Sequence, residues 1–363
     1  MSSTARVARG LAGSGVHFLT ATDPAEVAGW DPDREPERFA DGPGHHLLEA
    51  YARLRERGCR VSLGPRPPRA TATLVVSMDD LVSWRGHRRR RASWVVDLLA
   101  LRIPRVLVVL GDHPHGDRVP RFVRATVVPN PSAVRGDGAR WLPLLPQRGM
   151  IPRAATRRGR VATLALKTGT PNVPEAFRTA AFSAALADRG VTVRIDEHPA
   201  QWPDFADVDV VVCTHQRRPE WDGDDAFARK PPTKLINAWV AGCVPLVFPE
   251  VGYLDLAEPG RDALVVRSPA EVVEAVVRLR SDATLVAHLE AGVAARGAEF
   301  AMDRVLDRWE EELWGGDHAV TSRRAVARDA VGLVGTALGA RLRVPEGEVR
   351  GPMPAPAVRS RVR

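Results

Sequence analysis

The chain has 363 residues, 44% of them apolar, which is enough for a sizeable core and by length corresponds to about two domains. Its net charge is +8 and its pI near 10.3, a balance that raises nucleic acid and acidic membranes as partners. No apolar run approaches the roughly 18 residues of a membrane span. Aromatic residues make up only 6% and no nucleic-acid motif is present, so a nucleic-acid platform is disfavoured.

The amino terminus MSSTARVARGLAGSGVHFLT has only scattered apolar residues before a strand-like VHFL, so it reads as a tail entering the first strand and not as a signal peptide. GVHFLT at 15–20 is the first strand, HHLLEAYARLRERG at 45–58 an amphipathic helix ending at Gly58, and CRVSL at 59–63 and TATLVVSM at 71–78 two further strands. The run RGHRRRRAS at 85–93 is the densest basic patch. It reads as a solvated face, or as a contact for an acidic acceptor, a membrane surface or nucleic acid. Then come a helical WVVDLLALR at 94–102, the apolar strand RVLVVLGD at 105–112 and ATVVPNP at 125–131. Apolar strands with helices between them imply a mostly parallel, doubly wound sheet, here without a glycine fingerprint after the first strand.

WLPLLPQRGMIPRAATRRGR at 141–160, rich in proline and arginine, interrupts the alternation as a linker would. The alternation then restarts with VATLALKTG (161–169), a helix at 174–190, VTVRID (191–196), VDVVVCTH (208–215), helix TKLINAWVAG (233–242), VPLVF (244–248), ALVV (263–266) and helices from Pro269 to about Trp314. The expected fold class is therefore α/β, two Rossmann-like doubly wound domains joined by a linker. Its divisions are an amino-terminal domain over 1–145, a linker over 146–160, a carboxy-terminal domain over 161–317, an amphipathic helix over 318–343 and a disordered tail over 344–363. The terminal helix, with Val326, Ala330, Val334, Ala337 and Leu338 along one stripe, either packs on the amino-terminal domain or lies on a membrane surface. Cys59, Cys213 and Cys243 are far apart and lack metal-ligand spacing, which suits reduced thiols in a cytoplasmic protein.

One stretch concentrates a rare residue. Among 52 Lys plus Arg there are only three lysines, Lys167, Lys230 and Lys234, and two of them flank a helix start in KPPTKLINAW. Pro231 and Pro232 forbid earlier helix, and Thr233 is placed to cap it. A helix start offers unpaired N–H groups and the positive dipole end to a phosphate, and lysine adds a compact, mobile point charge. Lys167 ends the first strand of the same half, where Gly169 would allow close backbone approach, and Arg217 follows the strand VVVCTH. Glu250 and Tyr253 follow the next strand at the same sheet edge.

KPPTKLINAWVAGCVPLVFPEVGYLDL resembles the donor-binding segment of GT-B-fold glycosyltransferases, in which a Lys-x-x-Asn/Glu-Ala helix is followed by Ala-Gly-x-x-Pro and a strand. The family often has glutamate where Asn237 and Arg229 stand here. The resemblance covers about 150–315 and implies a cleft between two domains that binds a nucleotide-diphosphate sugar. It implies that Lys230, Thr233 and Lys234 hold the diphosphate and that Asn237 or Glu250 bonds the ribose or the donor sugar. Lys167, Gly169, Arg217 and Tyr253 fall at the same expected donor site, with no cofactor and no metal.

On the acceptor side, GDHPHGD at 111–117 follows a strand, so Asp112, His113 and His115 are candidates for a general base or acceptor contact. A structural loop and a metal site are the other readings of that cluster, and His17 and Asp23 are weaker candidates of the same kind. The expected activity is transfer of a sugar from a nucleotide-diphosphate donor to an unknown acceptor, with a nucleotide-sugar epimerase and a non-enzymatic basic module as alternatives.

Overall fold

The computed structural model describes residues 15–20, 22–39, 47–68, 71–78, 80, 105–111, 123, 125–136, 138–216 and 230–315. Asp112, His113, His115, Arg217, the arginine run at 85–93, the helix expected at 94–102 and everything after 315 lie outside these. In the first half, strand β1 (Gly15–Leu19) is followed by helix α1 (Glu49–Glu56), then β2 (Val61–Gly64), β3 (Thr71–Ser77), β4 (Arg105–Val109), β5 (Ala125–Val128) and β6 (Ala139–Trp141). These six strands form one sheet in the order β2-β1-β3-β4-β5-β6, with every pairing parallel.

The second half contains β7 (Thr163–Lys167), α2 (Ala180–Ala187), β8 (Thr192–Asp196), β9 (Val210–Cys213), α3 (Thr233–Ala241), β10 (Val244–Val247) and β11 (Leu264–Val265). Its five-stranded parallel sheet runs β11-β10-β9-β7-β8. The central strands are buried along their whole length, as β7 and β9 show, because helices cover both faces; this is why their sequences are unbroken apolar runs. In both sheets the strand order reverses beside the first strand, between β1 and β3 and between β7 and β9. Folds of this kind bind ligands outside the carboxyl ends of the strands at that reversal.

The two-sheet α/β architecture expected from the sequence is present, with differences at the elements. β6 is an additional edge strand too short to show a period. The helix expected over 174–190 is shorter: a 3₁₀ turn at Glu175–Phe177 precedes α2, which starts only after Thr179 caps it by accepting from Phe182 N at 3.2 Å. Helices α4 (Pro269–Ser281), α5 (Ala283–Glu299) and α6 (Met302–Glu310) end the described chain, followed by a π turn at Glu311–Gly315.

Helix α6 crosses back to the first half. Val305, Leu306 and Trp309 are buried in a core that also contains Phe18, Leu54 and Leu107, and Trp309 Nε1 donates to Pro143 O at 3.3 Å. On its polar side Arg57, just past α1, donates to Asp303 and Asp307 at 3.0 Å and to Glu310 at 2.6 Å. Arg105 at the start of β4 donates to the carbonyl and carboxylate of Glu312, each at 2.7 Å. Among the described residues no helix is long and apolar enough to cross a membrane.

Candidate functional site

At the reversal between β7 and β9 a cavity of about 240 Å³ opens. Its walls include Lys167, Thr168 and Trp202 on one side, His215 at the end of β9, and Lys230, Thr233 and Lys234 at the start of α3. Gln147 and Arg148, from the segment joining the sheets, and Asn237 complete it. The sequence places α3 here for local reasons. Pro231 and Pro232 lack the N–H groups that would continue a helix toward the amino terminus, Leu235, Ile236 and Trp239 bury one face, and Gly242 ends the helix in the left-handed region at φ 78°.

The helix starts one residue earlier than a Thr233 cap would give. Pro232 is the N-cap, with φ −78° and ψ 32°, Thr233 is already the first helical residue, and no side chain caps the first turn. The fixed proline ring angle is compatible with that position, and the hydroxyl of Thr233 stays on the cavity wall. The positive end of α3 is thus directed at the cavity, with no acid in its own first turn.

Lys234 donates its ammonium to Thr214 O, at the carboxyl end of β9. Burial pushes its pKa down to about 8, with Lys230 adding to the shift and Glu250 opposing it. Lys230 lines the same cavity, and its carbonyl accepts from Asn130 Nδ2 of the first half at 3.1 Å. Beside it, Ser132 N and Oγ donate to the two carboxylate oxygens of Asp255 at 2.9 and 2.5 Å. The two halves therefore meet at the loop that carries Lys230.

Other expected site residues are placed differently. Lys167 borders the cavity, but its ammonium donates to Asp196 Oδ2 at 2.5 Å, Gln201 O at 3.0 Å and Asp204 O at 2.6 Å, and sits 4.5 Å from the Phe205 ring centroid. Burial pulls its pKa below the ordinary lysine value despite Asp196. With its three protons engaged, Lys167 ties β7 to β8. Gly169 has φ −58° and ψ 148°, open to any residue, and a Cβ there would meet protein neighbours only at 3.8 Å, so the protein's own packing does not require glycine. Asn237 Oδ1 accepts from Gln147 N at 2.8 Å, so this amide fastens the connecting segment to α3. An acid at this position would still accept that bond but would bring a buried charge.

Glu250 and Tyr253 do not line the cavity themselves; both hold His215, which does. Glu250 Oε1 accepts from His215 N at 2.8 Å, Oε2 lies 2.5 Å from His215 Nδ1, and the Tyr253 hydroxyl lies 3.3 Å from the same nitrogen. Sequence reasoning passed over His215 in favour of Arg217. Its signal was a histidine directly after an apolar strand, at the edge where such sheets bind ligands. Of the weaker candidates, His17 is a core residue: its ring nitrogens meet Ser62 Oγ and Gly64 O, each at 2.9 Å. Asp23 caps the helical turn Pro24–Val27 by accepting from Ala25 N. Among the described residues no group of three or more His, Cys, Asp or Glu converges as a metal-binding set.

No protein-family model matches the chain, and no curated protein matches it. Solved structures similar to it include HepE of Anabaena in complex with UDP, at 11% identity and a TM-score of 0.47 over 82% of this chain and 99% of that one. A second is AviGT4, a glycosyltransferase involved in avilamycin A biosynthesis, at 16% identity and a TM-score of 0.43 over 88% and 98%. A third is sucrose-phosphate synthase of Thermosynechococcus elongatus, at 12% identity and a TM-score of 0.44 over 90% and 100%.

Proposed function

We propose that the chain is a glycosyltransferase that takes a sugar from a nucleotide-diphosphate donor and passes it to a hydroxyl acceptor entering between the two sheets. The observation that carries this is the start of α3. An uncapped helix end and two of the chain's three lysines meet in one cavity at the strand-order reversal of the second sheet. That combination of dipole and lysine charge suits a diphosphate, whose charge grows as it departs, and electrostatic stabilisation of a leaving group is the largest lever such a site has. The domain division at 146–160 follows from the same proposal, with the donor bound by the carboxy-terminal half.

Lys230 and Lys234 hold the diphosphate, with the first-turn N–H groups of α3 between them. Asp112 and His113, which follow β4 in the chain, remain the proposed acceptor-side bases, with Arg217 a further donor contact. Buried free thiols at Cys213 and Cys243 suit a reducing, cytoplasmic setting.

The test is a thermal-shift and calorimetric panel of nucleoside diphosphates and nucleotide sugars, followed by donor hydrolysis and transfer assays. At least one nucleotide sugar should bind, and Lys234→Ala should abolish its turnover with an unchanged circular dichroism spectrum. Unchanged turnover in Lys234→Ala would sink the assignment, and donor conversion without acceptor or hydrolysis would point to an epimerase.

A further inference from the structure

His215 is built into the cavity wall more rigidly than a surface histidine requires. One carboxylate, that of Glu250, takes both its backbone N–H at 2.8 Å and its Nδ1 side at 2.5 Å, so main chain and ring are fixed by one group. Tyr253, only 1% exposed, stacks against the imidazole with ring centroids 5.7 Å apart and planes 8° from parallel. A carboxylate on Nδ1 keeps the proton of the neutral ring there, which leaves Nε2 as the nitrogen available to the cavity and the only place for a second proton.

The surroundings of the ring are mixed in charge. Lys234 on α3 and Lys230 on the preceding loop disfavour a second proton, Glu250 favours it, and Tyr253 and Cys213 stay neutral. Burial and the lysines prevail, so the imidazole's pKa lies below its ordinary value. A diphosphate between Lys230, Lys234 and His215 would reverse that balance, because it neutralises the lysines and adds an acceptor for N–H donors.

We propose that His215 is a proton-donating contact for the donor's diphosphate, oriented by Glu250 and Tyr253, and that it takes its proton from solvent as the diphosphate binds. The proton bonds to Nε2 and stays there, hydrogen-bonded to a phosphate oxygen. No proton passes to the phosphate, and the ring returns its proton to solvent when the diphosphate leaves. Glu250 remains ionised as the counter-charge. The inference presupposes that the cavity takes a nucleotide diphosphate, and it adds a third cation that exists only while the ligand is bound.

Inorganic pyrophosphate probes these contacts without a base or sugar. Titrated calorimetrically near neutral pH in two buffers of different ionisation enthalpy, the wild-type protein should take up more protons per site than His215→Gln, by up to one. The ligand's own protonation is common to both proteins and cancels in the difference. His215→Gln should also bind roughly ten- to a hundred-fold more weakly, the range for losing a charged hydrogen bond. Glu250→Gln should bind pyrophosphate but take up fewer protons than wild type, and thermal melts establish that both variants are folded. Equal proton uptake in wild type and His215→Gln overturns the inference and leaves the donor-site proposal standing. Failure of the wild type to bind pyrophosphate overturns both. If His215→Gln does not fold, proton uptake by Glu250→Gln equal to that of wild type overturns the inference.

Discussion

Lys234 sits in a position that favours a ligand at the expense of the fold. Its pKa of about 8 lies below the ordinary 10.5 because burial disfavours the charged form. Between these two values the unfolded chain binds more protons than the folded one, so stability rises with pH there, and the penalty for holding the charge is fully present below about 8. Lys234→Met keeps the side-chain volume and removes that penalty, at the loss of one bond to Thr214 O. Its melting temperature near neutral pH should therefore be at or above that of wild type, and the increment should shrink as the pH approaches 10.5, while diphosphate binding is lost. A lower melting temperature that tracks wild type at every pH would show that the lysine is a structural element.

Residue-scale charges were legible in the sequence only as far as their neighbours were. The rarity of lysine pointed to the start of α3, where Lys230 and Lys234 line the cavity, yet it could not separate them from Lys167, whose ammonium is bonded to Asp196. In the sheet Lys167 is the register partner of Asp196, and a single sequence does not reveal which strand end faces which. Glu250 was visible as a carboxylate at a strand edge. That it reaches the cavity through His215 depends on how β9 and β10 align, which composition and period do not encode.

At the scale of elements, long apolar strands such as β4 and β9 were legible because burial on both faces leaves no ambiguity of pattern. β6, with three residues, and the late start of α2 were not, because short segments are decided by local caps and edge pairing. The one-turn helix Val251–Leu254 shows how such a small element can matter. A Cβ on Gly252 would lie 2.5 Å from Lys230 O and 3.6 Å from Asn130 Nδ2, so only glycine lets this turn pass beneath the lysine loop. Gly252→Ala must displace that loop or the turn. Because Lys230 O is also held by Asn130, the expected outcome is a weaker diphosphate site, with pyrophosphate affinity falling several-fold and a smaller effect on the melting temperature. Equal affinity in Gly252→Ala and wild type would show that the position of the loop does not govern binding.

At the scale of the whole molecule, the return of α6 brings residues of both halves into one buried core. The stretch MDRVLDRWE falls within the helices expected from Pro269 to about Trp314, but which surface its apolar side covers could not be read from the sequence. The structure gives α6 a role at the first half, where Trp309, 1% exposed, enters the shared core and Arg57 binds three of the helix's acids and the carbonyl of Asp303. These two attachments should differ in weight. Partly exposed ion pairs contribute little singly, so Arg57→Ala should cost about 1 kcal/mol. Trp309→Ala removes a large buried ring and should cost about 3–5 kcal/mol. Since that ring packs between the halves, its loss should also weaken their coupling. Calorimetry should then resolve a single unfolding transition in wild type and two in Trp309→Ala, the lower one belonging to the half whose core depended on the helix. A single transition in Trp309→Ala, merely shifted down, would show that the connecting segment and the Asn130 and Ser132 contacts couple the halves without α6.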